Sequence, residues 1–294
     1  DRDVDAATRF ATAGNRIGAA LAMADDVTLA DGRLSIEPAL RLEVLRTVPL
    51  EDAATGGAPA APTRDEVLAS PRLAVRYLVT SDLAWKTSVG RYARVPTALE
   101  LFGDRGFLVG RPDLRTERGW SGDLGAVYAP AAAHGPVDRI YVELAGFAAR
   151  PVDVIALVTT GGLVTRPVNL DGADLRGVEL AATARLARTV TISGNYTWLE
   201  ATQRSTQPSL DGAALPGRPH HAAAVRVDAA RRVRGHLLDL YGDVSYSAGA
   251  FVDEANLQAV PARTLVGAGA KAEITCWLAL GLEVKNLLDA RIEH

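Results

Sequence analysis

The chain is poor in several residue types at once. There is a single cysteine, Cys276, in 294 residues. One cysteine excludes a disulfide framework and any cysteine-rich metal site, and beside Trp277 it reads as a small hydrophobe. Aromatics are only 5% of the chain, and Lys86, Lys271 and Lys285 are its only lysines. The net charge of −3 leaves no basic excess to neutralise phosphates, which argues against a nucleic-acid partner. No run of 18 apolar residues occurs, so a membrane-spanning helix is excluded; strands that cross a membrane alternate and escape that test. The opening DRDVDAATRF lacks an initiator Met and a signal-peptide pattern, as in a processed or excised segment.

What the chain does have is period-2 alternation. In 189–199, Val190, Ile192, Gly194, Tyr196 and Trp198 share one face, and Thr191, Ser193, Asn195 and Thr197 the other. In 277–286, Leu278, Leu280, Leu282 and Val284 oppose Gly281, Glu283 and Lys285; 178–186 and 34–44 repeat the pattern. Strand-like segments fall at 16–24, 33–46, 72–80, 83–92, 116–129, 137–150, 172–187, 189–201, 219–229, 235–246, 262–274 and 277–288. Many exceed the 5–6 residues usual in soluble sheets and approach the roughly 9–11 of a tilted membrane strand.

The connections sort by length. Short turns are expected near 25–31, 81–82, 130–136, 187–188, 230–234 and 275–276, and long loops at 47–71, 93–115, 151–171, 202–218 and 247–261. Short turns on one side and long loops on the other are the habit of outer-membrane barrels. In such a barrel the apolar faces meet lipid, and Lys86, Glu143, Arg226, Asp239 and Glu283 line a wet lumen. In a soluble sheet the same alternation would bury the apolar faces in a core. Trp85, Trp277 and Tyr128 fall near short-turn ends and Trp120, Trp198, Tyr196 and Tyr246 near long-loop ends, as two interfacial girdles require.

No pattern supports an enzyme. His220 and His221 are adjacent in a strand and point to opposite faces, so they do not chelate one metal. His134 and His236 lack a partner at a recognisable spacing, and Gly267-Ala-Gly269 is not followed by a helix. No cofactor is expected. The loop 93–115 is rich in Arg and aromatic residues, and Arg94, Arg105, Phe107 and Arg111 are its candidates for contact with a ligand; tying the loop to its neighbours is the competing role.

Several segments resemble the barrel domain of TonB-dependent outer-membrane receptors. Gly90-Arg-Tyr-Ala-Arg94-Val-Pro96-Thr-Ala-Leu-Glu100-Leu101-Phe102-Gly103 is similar to the family's Arg-x-Pro…Glu-Leu-Tyr/Phe-Gly segment. Arg111-Pro112-Asp113-Leu114-Arg115-Thr116-Glu117 is similar to Asn-Pro-x-Leu-x-x-Glu, with Arg111 where Asn is usual. The stretch from Asn169 through Gly172 and Gly177 to Glu179 resembles the strand entry Asn-x-Gly-x-x-x-x-Gly-x-Glu. Asn195-Tyr-Thr-Trp198, Leu215-Pro-Gly-Arg-Pro219 and Val284-Lys-Asn-Leu-Leu-Asp289 follow in order, so the resemblance covers about 34–289.

The resemblance implies an all-β fold: an antiparallel transmembrane β-barrel, here about twelve strands of a larger barrel of about 22 with a plugged lumen. Residues 1–294 would then be a partial barrel domain without its plug and last strand. The implied function is active import of a scarce nutrient such as a ferric siderophore or cobalamin across the outer membrane of a Gram-negative bacterium. The implied partners are outer-membrane lipid, a small-molecule ligand such as a metal chelate, and TonB through the plug. The alternatives are a soluble or surface-attached β-rich binding module and a general diffusion porin.

Overall fold

The computed structural model describes residues 13–50, 63–104, 108–131, 135–160 and 164–291. In chain order the elements are β1 (Ala13–Ala24), β2 (Val27–Leu29), β3 (Leu34–Leu50), β4 (Arg64–Leu78), β5 (Leu83–Arg94), α1 (Ala98–Phe102), β6 (Glu117–Tyr128), β7 (Val137–Thr160) and β8 (Val164–Leu186). Then follow β9 (Val190–Arg204), β10 (His221–Val233), β11 (His236–Ala248), β12 (Ala250–Phe251), β13 (Ala259–Val260), β14 (Arg263–Glu273) and β15 (Ala279–Val284). One sheet runs β1-β3-β4-β5-β6-β7-β8-β9-β10-β11-β14-β15, with β2 beside β3; β12 and β13 pair separately. Every strand of the path is antiparallel to its neighbours, so the chain is an up-and-down meander, open at β1 and β15 among the described residues. Each of the twelve expected segments overlaps one strand of this path.

Register assigns the faces. The row Tyr77–Trp85–Ala126–Leu144–Leu180–Tyr196–Ala223–Tyr246 runs across eight strands on one side of the sheet. Leu42, Val44, Leu124, Val225, Val244, Leu280 and Leu282 share that side and are exposed. The opposite face is polar. There the Lys86 ammonium and the Tyr141 hydroxyl both donate to the Glu143 carboxylate. On the same face Arg226 lies over the Tyr241 ring, 3.9 Å from its centroid, and the Tyr241 hydroxyl donates to Glu283 at 2.7 Å. The apolar face is therefore left uncovered, while the polar one is internally bonded.

The buried apolar residues lie elsewhere. Leu170, Ala173, Ala201 and Leu215 form one cluster; Leu101, Leu114 and Ile155, with Phe102 against them, form the other. Both lie where the far ends of β7, β8 and β9 meet the long connections, and outside them Leu45, Leu68 and Ala84 are buried on β3, β4 and β5. A two-layer soluble fold concentrates its apolar side chains between layers. This chain reverses that distribution.

Parts of two expected loops prove to be strand. The segment 151–171 is the far half of the hairpin β7–β8, whose strands continue to Thr160 and from Val164. Pro151 and Pro167 lie within these strands, because a proline is tolerated wherever the ladder does not need its N–H. The Pro151 carbonyl also accepts a bond at 2.9 Å from Arg204. The expected loop 47–71 shortens likewise, because β3 reaches Leu50 and β4 begins at Arg64.

The tight turns are built on left-handed residues. Ala187 (φ 46°) and Arg188 (φ 61°) join β8 to β9, and Arg234 (φ 51°) and Gly235 (φ 89°) join β10 to β11. Two successive positive φ angles match the right-handed twist of the flanking strands. The Arg188 amide is held by the Asp138 carboxylate.

Candidate functional site

The connection between β5 and β6 carries most of the singled-out residues, and its fold is dictated locally. Pro96 stops the strand, and Thr97 caps α1: its hydroxyl accepts from the Glu100 amide at 3.2 Å, while Glu100 accepts from the Thr97 amide at 2.7 Å. Gly103 ends the helix at φ 73°, and a Cβ there would lie 2.5 Å from the Leu108 carbonyl oxygen. Gly110 closes against the same turn, its imagined Cβ 2.3 Å from the Gly103 nitrogen. Only glycine lets these two backbones meet.

The turn is then fastened to the sheet by charge. The Arg94 guanidinium donates to Glu100 at 3.0 and 3.2 Å, to Glu117 at 3.4 Å and to the Ile155 carbonyl at 3.3 Å. Glu117, whose side chain is 13% exposed, also accepts from the Ile155 amide at 3.2 Å. One arginine thus joins β5, α1, β6 and β7. Leu114 is fully buried beneath this network, and Arg64 donates to its carbonyl. The Asn169 amide clamps the next residue, accepting from Arg115 N–H at 2.8 Å and donating to the Arg115 and Asp153 carbonyls at 3.0 and 2.8 Å.

The whole turn folds over the polar face. A Cβ on Gly14 of β1 would lie 2.0 Å from the Phe102 ring, so the ring is seated on the inner side of the first strand. Arg16, Thr47, Arg64 and Glu66 line a small cleft with Pro96, Leu101 and Phe102. β4 and β5 pair only from Arg72↔Gly90 to Leu78↔Ala84; β4 begins at Arg64 and β5 runs on to Arg94 without further pairing between them. The inward turn lies at that parting, where the Thr116 hydroxyl donates to Glu66 and Arg118 approaches Glu66 at 3.9 Å.

Of the four ligand candidates, Arg94 is engaged as above. Arg111 forms a forked pair with Asp113 at 2.9 and 3.2 Å, and this pairing holds the Asp113 carboxyl below its usual range. Arg105 and Phe107 lie outside the described residues. Glu117, Asn169 and Glu66 went unnoticed as fasteners in the sequence because their partners lie up to 54 residues away. Asn169 and Glu117 did stand in the motifs quoted above.

A second group of connections meets beside β8 and β9. Gln203, 2% exposed, donates to the Glu254 carbonyl at 2.7 Å; Asn256 accepts from Ala214 N–H at 2.7 Å and donates to its carbonyl at 2.9 Å. Asp253 takes the amides of Leu257 and Gln258 at 3.1 and 2.7 Å, which lowers its carboxyl. Burial pushes the neighbouring Glu254 up. At the outer end of β10, the His221 ring stacks on Tyr196 and shares a 2.8 Å hydrogen bond with its hydroxyl. Among the described residues, no cluster of His, Cys, Asp and Glu could hold a metal.

A family profile described as TonB dependent receptor-like, beta-barrel, matches residues 3–287. The chain belongs to that family. Solved structures agree on the fold of this receptor barrel. The ferric preacinetobactin receptor BauA of Acinetobacter baumannii superposes with TM-score 0.70 at 15% identity, covering 94% of this chain and 39% of that one. The ferric yersiniabactin uptake receptor FyuA of Yersinia pestis gives 0.69 at 20%, covering 94% and 41%. The hemophore receptor HasR of Serratia marcescens gives 0.66 at 20%, covering 96% and 50%. The chain thus spans roughly two fifths to half the length of these receptors. No curated protein matches it in sequence.

Proposed function

We propose that the chain forms part of the wall of an outer-membrane receptor that imports a scarce nutrient, a metal chelate being the ligand class that its matched structures favour. The observation that carries this reading is the inverted distribution of polarity. An apolar face runs across the sheet uncovered, with Leu21, Leu124, Leu144, Leu240 and Leu282 all exposed, while the opposite face carries bonded charges and an inward-folded turn. Lipid covers such a face at no polar cost, and a wet lumen accommodates the other. A soluble binding module with this sheet would leave the apolar face in water. A general diffusion porin would not need a turn fastened by Arg94, Glu100 and Glu117 across the inner wall.

Within that reading, residues 1–294 are a partial barrel domain, and TonB would act through a plug seated against the polar face. The Arg94 guanidinium is a positioning group that sets the turn, whereas Arg105, Phe107 and Arg111 are the groups the turn offers to a ligand. The complete receptor, produced in outer membranes, tests this. Replacing Arg105, Phe107 and Arg111 together is expected to weaken binding across a panel of ferric chelates while the protein stays in the membrane fraction. Unchanged binding contradicts the ligand role, and recovery of the receptor without detergent contradicts the wall.

A further inference from the structure

The wall parts between β4 and β5, and Pro71 marks the point. Each strand stays paired on its other side, β4 to β3 as far as Thr47↔Arg64 and β5 to β6 as far as Arg94↔Glu117. Their own ladder ends at Arg72↔Gly90. The Leu78 amide bonds to Arg33 on the β3 side, and the Val79 amide to Leu83 on the β5 side. Backbone groups alternate along a strand, so the odd-numbered residues of β4 turn theirs toward β5. The Pro71 carbonyl does point there, since a Cβ on Gly90 would lie 3.1 Å from its oxygen. The next rung would need the Pro71 N–H, which proline lacks. Pro71 therefore stops the ladder.

Beyond Pro71 the backbone groups of Asp65, Val67 and Ala69 face the parting, and no described strand pairs with them on that side. Their side chains lie on the outward face and are exposed, Val67 at 71%. On the lumen side the parting is floored. Thr116 donates to Glu66, Arg64 donates to the Leu114 carbonyl, and Arg118 reaches across to 3.9 Å from Glu66. The Arg118 Nε is buried with no hydrogen-bond partner among the described residues. On β5, Arg91 is exposed and makes no ion pair with a described residue. Counted from Leu78, the roughly 9–11 residues of a tilted membrane strand end between Ser70 and Leu68. Asp65 and Val67 therefore stand beyond the hydrocarbon.

An edge of this kind accepts a strand, because another extended main chain offers N–H and C=O groups at the same spacing. We propose that the parting is a slot for an extended polypeptide segment of a partner protein outside the cell, which adds as a strand to β4 along Asp65, Val67 and Ala69. The slot defines the segment. Its inward side chains meet the floor of Thr116, Glu66 and Arg118 and have to be small. Its outward side chains lie between Val67 and Arg91, which suits an apolar residue alternating with a carboxylate. Its carbonyls supply the kind of acceptor that the Arg118 Nε lacks. The inference goes beyond the import reading and borrows from it only the placing of this end of the wall outside the membrane.

The test uses the complete receptor in nanodiscs, with a blocked peptide of about seven residues as the probe, alanine alternating with valine and glutamate. Hydrogen exchange reads the edge. The peptide is expected to slow exchange over 65–69 and to leave β11, which is paired on both sides, unchanged. The same peptide N-methylated on the residues that face β4 keeps its side chains. It is expected to bind about tenfold more weakly, the scale of losing a few main-chain bonds. Val67→Pro removes one edge N–H without touching the β3 ladder and is expected to weaken the unmethylated peptide severalfold. Should that variant not fold, the methylated peptide on wild type decides. Equal binding of the two peptides overturns the slot. So does unchanged exchange over 65–69 in a receptor that stays in the membrane fraction, which leaves the wall standing. A receptor recovered without detergent whose residues 65–69 are still protected keeps the slot and overturns the wall.

Discussion

The hairpin β7–β8 and the hairpin β10–β11 are made of the same alternating pattern but stand very differently. Strands of 24 and 23 residues in the first reach about 75–80 Å at ~3.3 Å per residue. Strands of 13 residues in the second reach about 43 Å, or about 30 Å when tilted by ~45°, which is one hydrocarbon thickness. The shorter hairpin is a membrane-length ribbon, and no apolar residue within it is buried. The excess of the longer one projects beyond any bilayer and collects the connections around it, with Ile155, Leu170 and Ala173 buried. Projecting backbone needs its own packing, whereas the shorter ribbon leans on its surroundings.

If so, large-to-small changes should separate the two regions. Leu114→Ala, beneath the turn that packs on β7, is expected to cost about 2–5 kcal/mol and to loosen the inward turn, measured by denaturant unfolding and by protease cutting near residue 105. Leu240→Ala on β11, with its side chain already exposed, should cost clearly less in the same assay.

The charged fastener comes next. Glu117→Gln keeps the shape but removes the charge that Arg94 meets, with an expected loss of about 1–3 kcal/mol in seating the turn. The loss should be absent from hairpin β10–β11 in hydrogen exchange. A turn can be improved instead. Ala187→Asn with Arg188→Gly replaces two strained residues by ones suited to positive φ, and a gain of about 1 kcal/mol is expected in thermal unfolding.

The smallest effect concerns Glu254. Burial raises its folded pKa, so its penalty is absent well below the ordinary carboxylate range and grows as pH rises through the raised value. Glu254→Gln should remove this pH dependence and slightly stabilise the connection over 249–258 at neutral pH, while changing nothing at acid pH. Hydrogen exchange at the two pH values reads the difference.

The short ribbons were the legible part of the fold. In 235–246 and 262–274 the alternation has weaker contrast than in 189–199 but no proline breaks it, and β11 and β14 fall within two residues of those bounds. The extension of β7 and β8 was not legible, because apolar residues there pack on both faces, as Val154 and Ile155 do, and Pro151 and Pro167 punctuate them. The site divided similarly. Arg94, Glu100, Gly103, Leu114 and Glu117 stood in recognisable order, and the structure brings them into one fastening. Their shared purpose was hidden, since a spacing along the chain does not say that Arg94 reaches Ile155, 61 residues on.

The central claim is that the sheet turns its apolar face to lipid and its polar face to water. Nitroxide labels on a Cys276→Ser background, placed at Leu124 and Leu144 on one face and at Thr183 and Ser193 on the other, test it in the membrane-embedded receptor. The account predicts that oxygen reaches the first pair and a water-soluble nickel complex the second. Equal access of the nickel complex to both pairs, or the reverse pattern, would contradict it.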